Sequence, residues 1–210
     1  ATFHDGAVAV TDPSGDLVAF SGEIDRAFFL RSSAKPFQAY VSQTSGAGLE
    51  PSELAQACSS HRGFPVHVAN VRAMSRNVGL DEPALGCPHS YPLGESATWA
   101  VLRQCEPGPR RIWSDCSGKH AGFLRACVAN DCPLETYLGP DHPLQRRAID
   151  FVSEMGDYSV EPVGVDGCGA PVLRTTVRAM SLMFARLGSD PRLAEVFEAM
   201  HRYPALVSAN

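Results

Sequence analysis

The sequence predicts a mixed α/β (α+β) fold from three features. Short apolar runs flank a turn signal near the start. Helical patterns with one apolar face follow. A further strand then enters a glycine-rich loop ahead of two closing helices. The opening runs, Ala7-Val8-Ala9-Val10 and Leu17-Val18-Ala19-Phe20, enclose Asp12-Pro13-Ser14-Gly15-Asp16, a hairpin signal. Pro36 is tolerated only in the first turn of a helix, so one should begin near Ser32 or Ser33, with Phe37, Tyr40 and Val41 inward. A helix from Val66 should bury Val71, Met74 and Val78 and stop at Gly79. The next, over 118–128, should bury Phe123, Leu124, Cys127 and Val128, and one over 143–155 should turn Ile149 and Val152 inward. A strand over 160–165 leads into Asp166-Gly167-Cys168-Gly169-Ala170-Pro171. Val177, Met180, Phe184 and Leu187 then share a helix face that Gly188 should end. Asp190-Pro191 caps a last helix with Leu193, Val196, Phe197 and Met200 inward.

No repeat, low-complexity tract or linker divides residues 1–210, which are expected to form one domain. The net charge of −5 and the scattered arginines argue against nucleic acid as partner. No apolar run approaches membrane-spanning length. Seven cysteines, an odd number without a CxxC pair, read as free thiols of a cytoplasmic protein rather than a disulfide scaffold. The chain starts at Ala1 without methionine and ends at Leu206-Val207-Ser208-Ala209-Asn210 just after a helix, so it is expected to be a fragment.

Lysine is scarce: two residues, Lys35 and Lys119, against sixteen arginines. Arginine stays protonated, whereas a buried lysine can become neutral and act as base, nucleophile or ligand. Both lysines fall three residues after a Ser or a Cys. In Ser32-x-x-Lys35 the two side chains share a helix face, so the amine can approach the hydroxyl and take its proton. Ser-x-x-Lys is the acylating pair of penicillin-binding proteins and serine β-lactamases. The plainer alternative is a capping serine beside a surface lysine.

In Cys58-Ser59-Ser60-His61, Ser60 could relay a proton or simply cap the helix that follows. Cys116-x-x-Lys119, with Cys168 in its glycine loop, offers two sulfurs and an amine to a soft metal such as zinc, and His120 is the more conventional donor by type. Three unconnected buried residues would read the same way. Cys116 with His120 could also be a thiol nucleophile and its base. Cys87, His89, Cys127 and Cys132 read as packing residues.

Taken together, five runs resemble the thermolabile, Rhizobium-etli-type L-asparaginases (the asparaginase II, or class 3, family). They are Arg31-Ser32-Ser33-Ala34-Lys35-Pro36-Phe37-Gln38, Ser60-His61 with Gly63, Pro65 and His67, Cys116-Ser117-Gly118-Lys119-His120-Ala121-Gly122, His142-Pro143-Leu144-Gln145, and Asp166 to Pro171. They occur in family order across nearly the whole chain. The resemblance implies a serine-β-lactamase-like sheet flanked by helices, hydrolysis of L-asparagine to L-aspartate and ammonia, and a homodimer. It implies Ser32 as acylated nucleophile, Lys35 as its base and Ser60 as second serine of the proton network. Cys116, Lys119 and Cys168 would hold one zinc ion with water, and Arg31 and Asp166 would orient the substrate's α-groups.

Several positions depart from the family pattern. Phe64 stands where an acidic residue is usual, and Ser114-Asp115 where asparagines are usual. The family's further lysine, in a glycine-rich C-terminal segment, has no counterpart in these 210 residues, so a C-terminally incomplete domain is expected. The other readings are a glutaminase or different amidohydrolase of the β-lactamase-like class, and an inactive zinc- or amino-acid-binding fragment.

Overall fold

The computed structural model describes residues 2–3, 5–104 and 108–207; Cys105 and the last three residues of the chain's terminal run lie outside them. The hairpin forms as expected, β1 (Val8–Thr11) pairing antiparallel with β2 (Leu17–Ser21). Asp12 builds its turn, the carboxylate accepting from Ser14 Oγ and from the Gly15 and Asp16 N–H groups. A second, three-stranded sheet has the order β3-β5-β4, from β3 (Ala27–Phe29), β4 (Pro162–Val165) and β5 (Pro171–Thr176), all antiparallel. The architecture is therefore mixed α/β, with small antiparallel sheets against a larger helical body.

One pairing positions chemistry. In β3 against β5, Phe29 faces Arg174 and the Leu30 N–H donates to the Leu173 carbonyl at 3.0 Å. Antiparallel register thus sets the end of β3 beside the start of β5. Arg31 and Ser32, just after β3, are thereby brought to the 166–170 loop, just before β5.

A 3₁₀ turn, Arg31–Ala34, runs directly into α1 (Lys35–Ser42), which places Pro36 in the first helical turn as expected. The body continues through α2 (Pro51–Ala57), α3 (Pro65–Arg76), α4 (Glu95–Arg103), α5 (Ser117–Ala129) and α6 (Pro143–Gly156). After the sheet come α7 (Val177–Ser189), α8 (Ala194–Arg202) and the short α9 (Pro204–Val207). No helix of the described residues is long and apolar enough to cross a membrane.

Helix α5 is the central element, packed against α1, α2, α3 and α6. Every residue from Ser117 to Cys127 is buried, polar ones included, so it is a core helix rather than an amphipathic surface helix. Around it Phe37, Leu54, Val71, Met74, Phe123, Leu124, Val152 and Met155 form one contiguous core. Arg125 of α5 crosses to Glu53 of α2 at 2.7 Å, both side chains being nearly fully buried. At the other end Gly118 lies against the Gln56 carbonyl, and a Cβ there would come to 2.7 Å of that oxygen. The missing side chain lets the start of α5 dock on the end of α2.

Several helix faces differ from expectation. Val128 is 37% exposed, because α5's contacts end at Cys127 on that side. In α7 the buried line is Ala179, Met183 and Leu187, while Phe184 is 41% exposed. The reason is close approach to α6: a Cβ on Gly156 would meet Ala179 at 3.3 Å, so the small residue faces inward. Helix α7 continues through Gly188 to Ser189 and stops at Asp190, whose carboxylate accepts from the Arg192 N–H. In α8 Val196 and Ala199 are buried and Phe197 is 43% exposed. Val78 falls in the turn after α3, where Gly79 adopts φ +72°.

Candidate functional site

The end of β3, the loop after α2, the start of α5 and the 166–170 loop converge, and all eight sequence-predicted site residues fall into two adjoining clusters and one flanking pair. In the first cluster, Lys35 points inward from α1 and is 1% exposed, while Ser32 one turn earlier is exposed. The expected direct approach of amine to hydroxyl is not what links them. Lys35 Nζ donates to Ser60 Oγ at 2.8 Å, and Ser60 Oγ donates to Ser32 Oγ at 2.9 Å. Ser60 therefore sits between the pair. It does not cap α3, which starts at Pro65 with no side-chain cap bond.

Lys35 Nζ is also held by the Ser59 carbonyl at 2.8 Å and the Asp115 carbonyl at 3.3 Å, with the Asp115 carboxylate 3.9 Å away. Burial pushes this amine below the usual lysine range, and the Lys119 charge acts in the same direction. A neutral amine here donates its two protons to the two carbonyls and turns its lone pair to Ser60.

The second cluster joins Cys116, Lys119 and Cys168, all buried, with Ala170 and Leu138 packed around the sulfurs. Lys119 Nζ lies 3.1 Å from Cys168 Sγ. Cys116 and Cys168 share one hydrogen bond. That bond pulls the Cys168 thiol down and pushes the Cys116 thiol up. Two sulfurs and an amine converging in a dry pocket are a donor set suited to a soft or borderline cation. The His120 imidazole is fully buried beside this cluster, with Cys168 as the polar neighbour of its ring. Among the described residues, no three His, Cys, Asp or Glu side chains group to hold a metal, so any ion here depends on the Lys119 amine.

His120 is poorly suited to be a base for Cys116. Its Nδ1 is engaged by the Tyr137 hydroxyl at 2.6 Å, and burial pushes the imidazole down to about 4. The thiol-nucleophile reading loses its proton acceptor.

Arg31 and Asp166 form the flanking pair, an ion pair of 3.0 Å in which the guanidinium is exposed and the carboxylate mostly covered. Arg31 adopts φ +49°, a left-handed conformation that costs a non-glycine residue of order 1 kcal/mol and marks a constrained turn before Ser32. The Asp166 carboxylate also accepts from the Gly167 N–H at 2.8 Å. Gly169, at φ +88°, lets the loop close through its N–H on the Asp166 carbonyl.

Two residues that the sequence left without a role hold the clusters together. His61 lies within the Ser59-Ser60-His61 run, and its buried imidazole bridges Ser117 Oγ at 2.7 Å and the Gly63 N–H at 3.1 Å. Ser117 Oγ donates to the Ile112 carbonyl, so it must accept from His61 Nε2–H, which fixes a neutral imidazole. Asp115, noted as a departure, supplies the carbonyl shared by Lys35 and the His61 N–H. The only sequence signal for either is adjacency to Ser60 and Cys116. A cavity of about 730 Å³ lined by Arg72, Arg76, Asp81 and Arg111 contains none of these side chains; convergence of functional groups, not cavity size, marks the site.

Comparison with known proteins gives one family. A family model described as L-asparaginase II matches residues 2–210. Among curated proteins no match was found.

Proposed function

The chain belongs to the L-asparaginase II family and is an asparaginase amidohydrolase; from that premise we propose that it releases ammonia from L-asparagine through an acyl-enzyme on Ser32. The observation that carries the reading is the continuous chain Ser32–Ser60–Lys35, with links of 2.9 and 2.8 Å. A side-chain amide needs an activated nucleophile, and a serine hydroxyl becomes one only as its proton departs. The proton passes from Ser32 to Ser60 as Ser60 gives its own to the Lys35 amine. The hydroxyl rotors reverse the direction in which the bonds run when the lysine is charged.

Ser32 Oγ then bonds to the amide carbon. Return of the proton along the same relay to the amide nitrogen lets the C–N bond break and ammonia leave. Water attacks the resulting ester with the relay again as base, and L-aspartate departs. Burial favours the neutral Lys35 that starts the cycle. Arg31 and Asp166 pair with each other in the free protein; a zwitterionic substrate can take the place of each partner, its α-carboxylate on Arg31 and its α-ammonium on Asp166.

Cys116, Lys119 and Cys168 would hold one zinc ion, which when bound would supply a Lewis-acidic centre and a structural tie beside the serine relay. The wider reading is a cytoplasmic, homodimeric enzyme of the Rhizobium-etli type on a serine-β-lactamase-like fold, with residues 1–210 as one domain. The test is Ser32→Ala. Ammonia release from asparagine should vanish, with folding and zinc content near wild type, and undiminished turnover would remove Ser32 as nucleophile. Wild-type release from glutamine but not asparagine would instead favour a glutaminase. Release from neither, with zinc supplied, would favour a binding protein.

A further inference from the structure

Cys127 and Cys132 lie at the far end of α5 from Cys116 and Lys119, and the backbone between them folds in a specific way. The Cys132 N–H donates to the Cys127 carbonyl at 2.9 Å, the Asp131 N–H donates to the Val128 carbonyl at 3.3 Å, and Asp131 is left-handed at φ +51°. Those are the paired bonds and the αL residue of a Schellman helix end, whose first and last residues bring their side chains into contact. In most proteins that contact is apolar; here both positions are cysteine. Both residues line one small cavity with Ser45, Asn130 and Arg147, which places them on the same side of the helix end.

We propose that Cys127 and Cys132 are a thiol–disulfide site that an external disulfide of the glutathione class oxidises to an intramolecular bridge. Accessibility orders the steps. Cys132 is the described cysteine that is not buried, whereas Cys127 is 1% exposed and no oxidant reaches it directly. Burial, with the neighbouring Cys132, pushes the Cys127 thiol up to about 12, and the accessible Cys132, with Arg147 lining the same cavity, is the thiol that meets the oxidant first.

The Cys132 thiolate attacks one sulfur of oxidised glutathione, its S–S bond breaks, and one glutathione leaves as thiolate. Cys127 then loses its proton and attacks the Cys132 sulfur, and the second glutathione leaves. The protein loses two electrons and two protons, and the oxidant becomes two thiols.

The experiment incubates the folded, reduced full chain with oxidised glutathione, blocks free thiols by alkylation and maps peptides by mass. Wild type should show Cys127 and Cys132 joined, lighter by two hydrogens, and restored by dithiothreitol. Cys132→Ser should lose the bridge completely and leave Cys127 alkylatable only after unfolding. Cys127→Ser should stop at a stable glutathione adduct on Cys132. Should that buried variant fail to fold, the wild-type product decides alone. A lasting glutathione adduct on Cys132 with Cys127 still free would overturn the proposal, as would two unmodified thiols.

Discussion

Ser60→Ala tests the proton relay most sharply, because it removes one oxygen that is both acceptor and donor. The change deletes the 2.8 Å bond from Lys35 and the 2.9 Å bond to Ser32, while the Ser59 and Asp115 carbonyls still hold the amine. Lys35 stays in place and Ser32 keeps its hydroxyl, but the base and the nucleophile no longer touch. A positioned base contributes about 10²–10⁴-fold, so kcat/KM for asparagine should fall by that factor, about 3–5 kcal/mol of transition-state stabilisation. The structural cost should be small. Ser60 is only half-buried, and a lost hydroxyl bond there is worth about 1 kcal/mol. KM should move little, since Arg31 and Asp166, which meet the α-groups, are untouched. Ammonia release followed by a glutamate dehydrogenase-coupled assay, with urea unfolding as control for folding, measures both. A folded Ser60→Ala enzyme whose kcat stays within about threefold of wild type would refute the relay, because Lys35 would then be reaching Ser32 unaided.

Three further outcomes test the surrounding structure. Cys168→Ser should lower zinc bound per chain, read by atomic absorption after dialysis; unchanged stoichiometry would reject the Cys116, Lys119 and Cys168 donor set. Glu53→Gln leaves Arg125 charged and buried opposite a neutral amide, and should cost about 3–5 kcal/mol in urea unfolding, with a loss below 1 kcal/mol counting against a structural role for the pair. Burial, with His67 and Lys35 nearby, pushes the His61 imidazole down to about 3 from an ordinary value of 6.5. A depressed folded value means its stabilising contribution is complete above pH 6.5 and is lost as pH falls toward 3, because only the unfolded chain takes up the proton in that window. Between pH 7.5 and 5.0 wild type should therefore lose about 2 kcal/mol from this group, and His61→Asn should show a correspondingly flatter profile; parallel profiles would contradict a neutral His61.

What could be read in the residues was what local geometry decides. Asp12 to Asp16 had to turn, and Asp190 had to cap, because the side chains that satisfy those backbone groups are within four positions of them. Helix faces were harder. Periodicity locates an apolar arc but not its centre, and the small Ala179 won the inner position over Phe184 only because Gly156 lets α6 come close. The site divides along the same line. The rarity of lysine singled out Lys35 and Lys119, the two amines that end up buried, since a residue type that is scarce elsewhere stays where its chemistry is irreplaceable. Spacing then suggested that Ser32 and Lys35 touch, because i and i+3 share a face on an ideal helix. The chain instead makes a strained left-handed turn at Arg31 and a 3₁₀ turn before α1, which leaves Ser32 facing out and Lys35 facing in. Ser60 fills the gap from 28 residues away, and nothing local could reveal that. Its placement follows from Gly118 docking α5 on α2, which carries Asp115 and Ser117 to His61 and sets the Ser59-Ser60 loop over the lysine. The same docking brings Cys116 and Lys119 beside the relay. The Gly118 contact therefore serves both clusters from the α5 side, while the β3–β5 pairing supplies Ser32 to one and the Cys168 loop to the other.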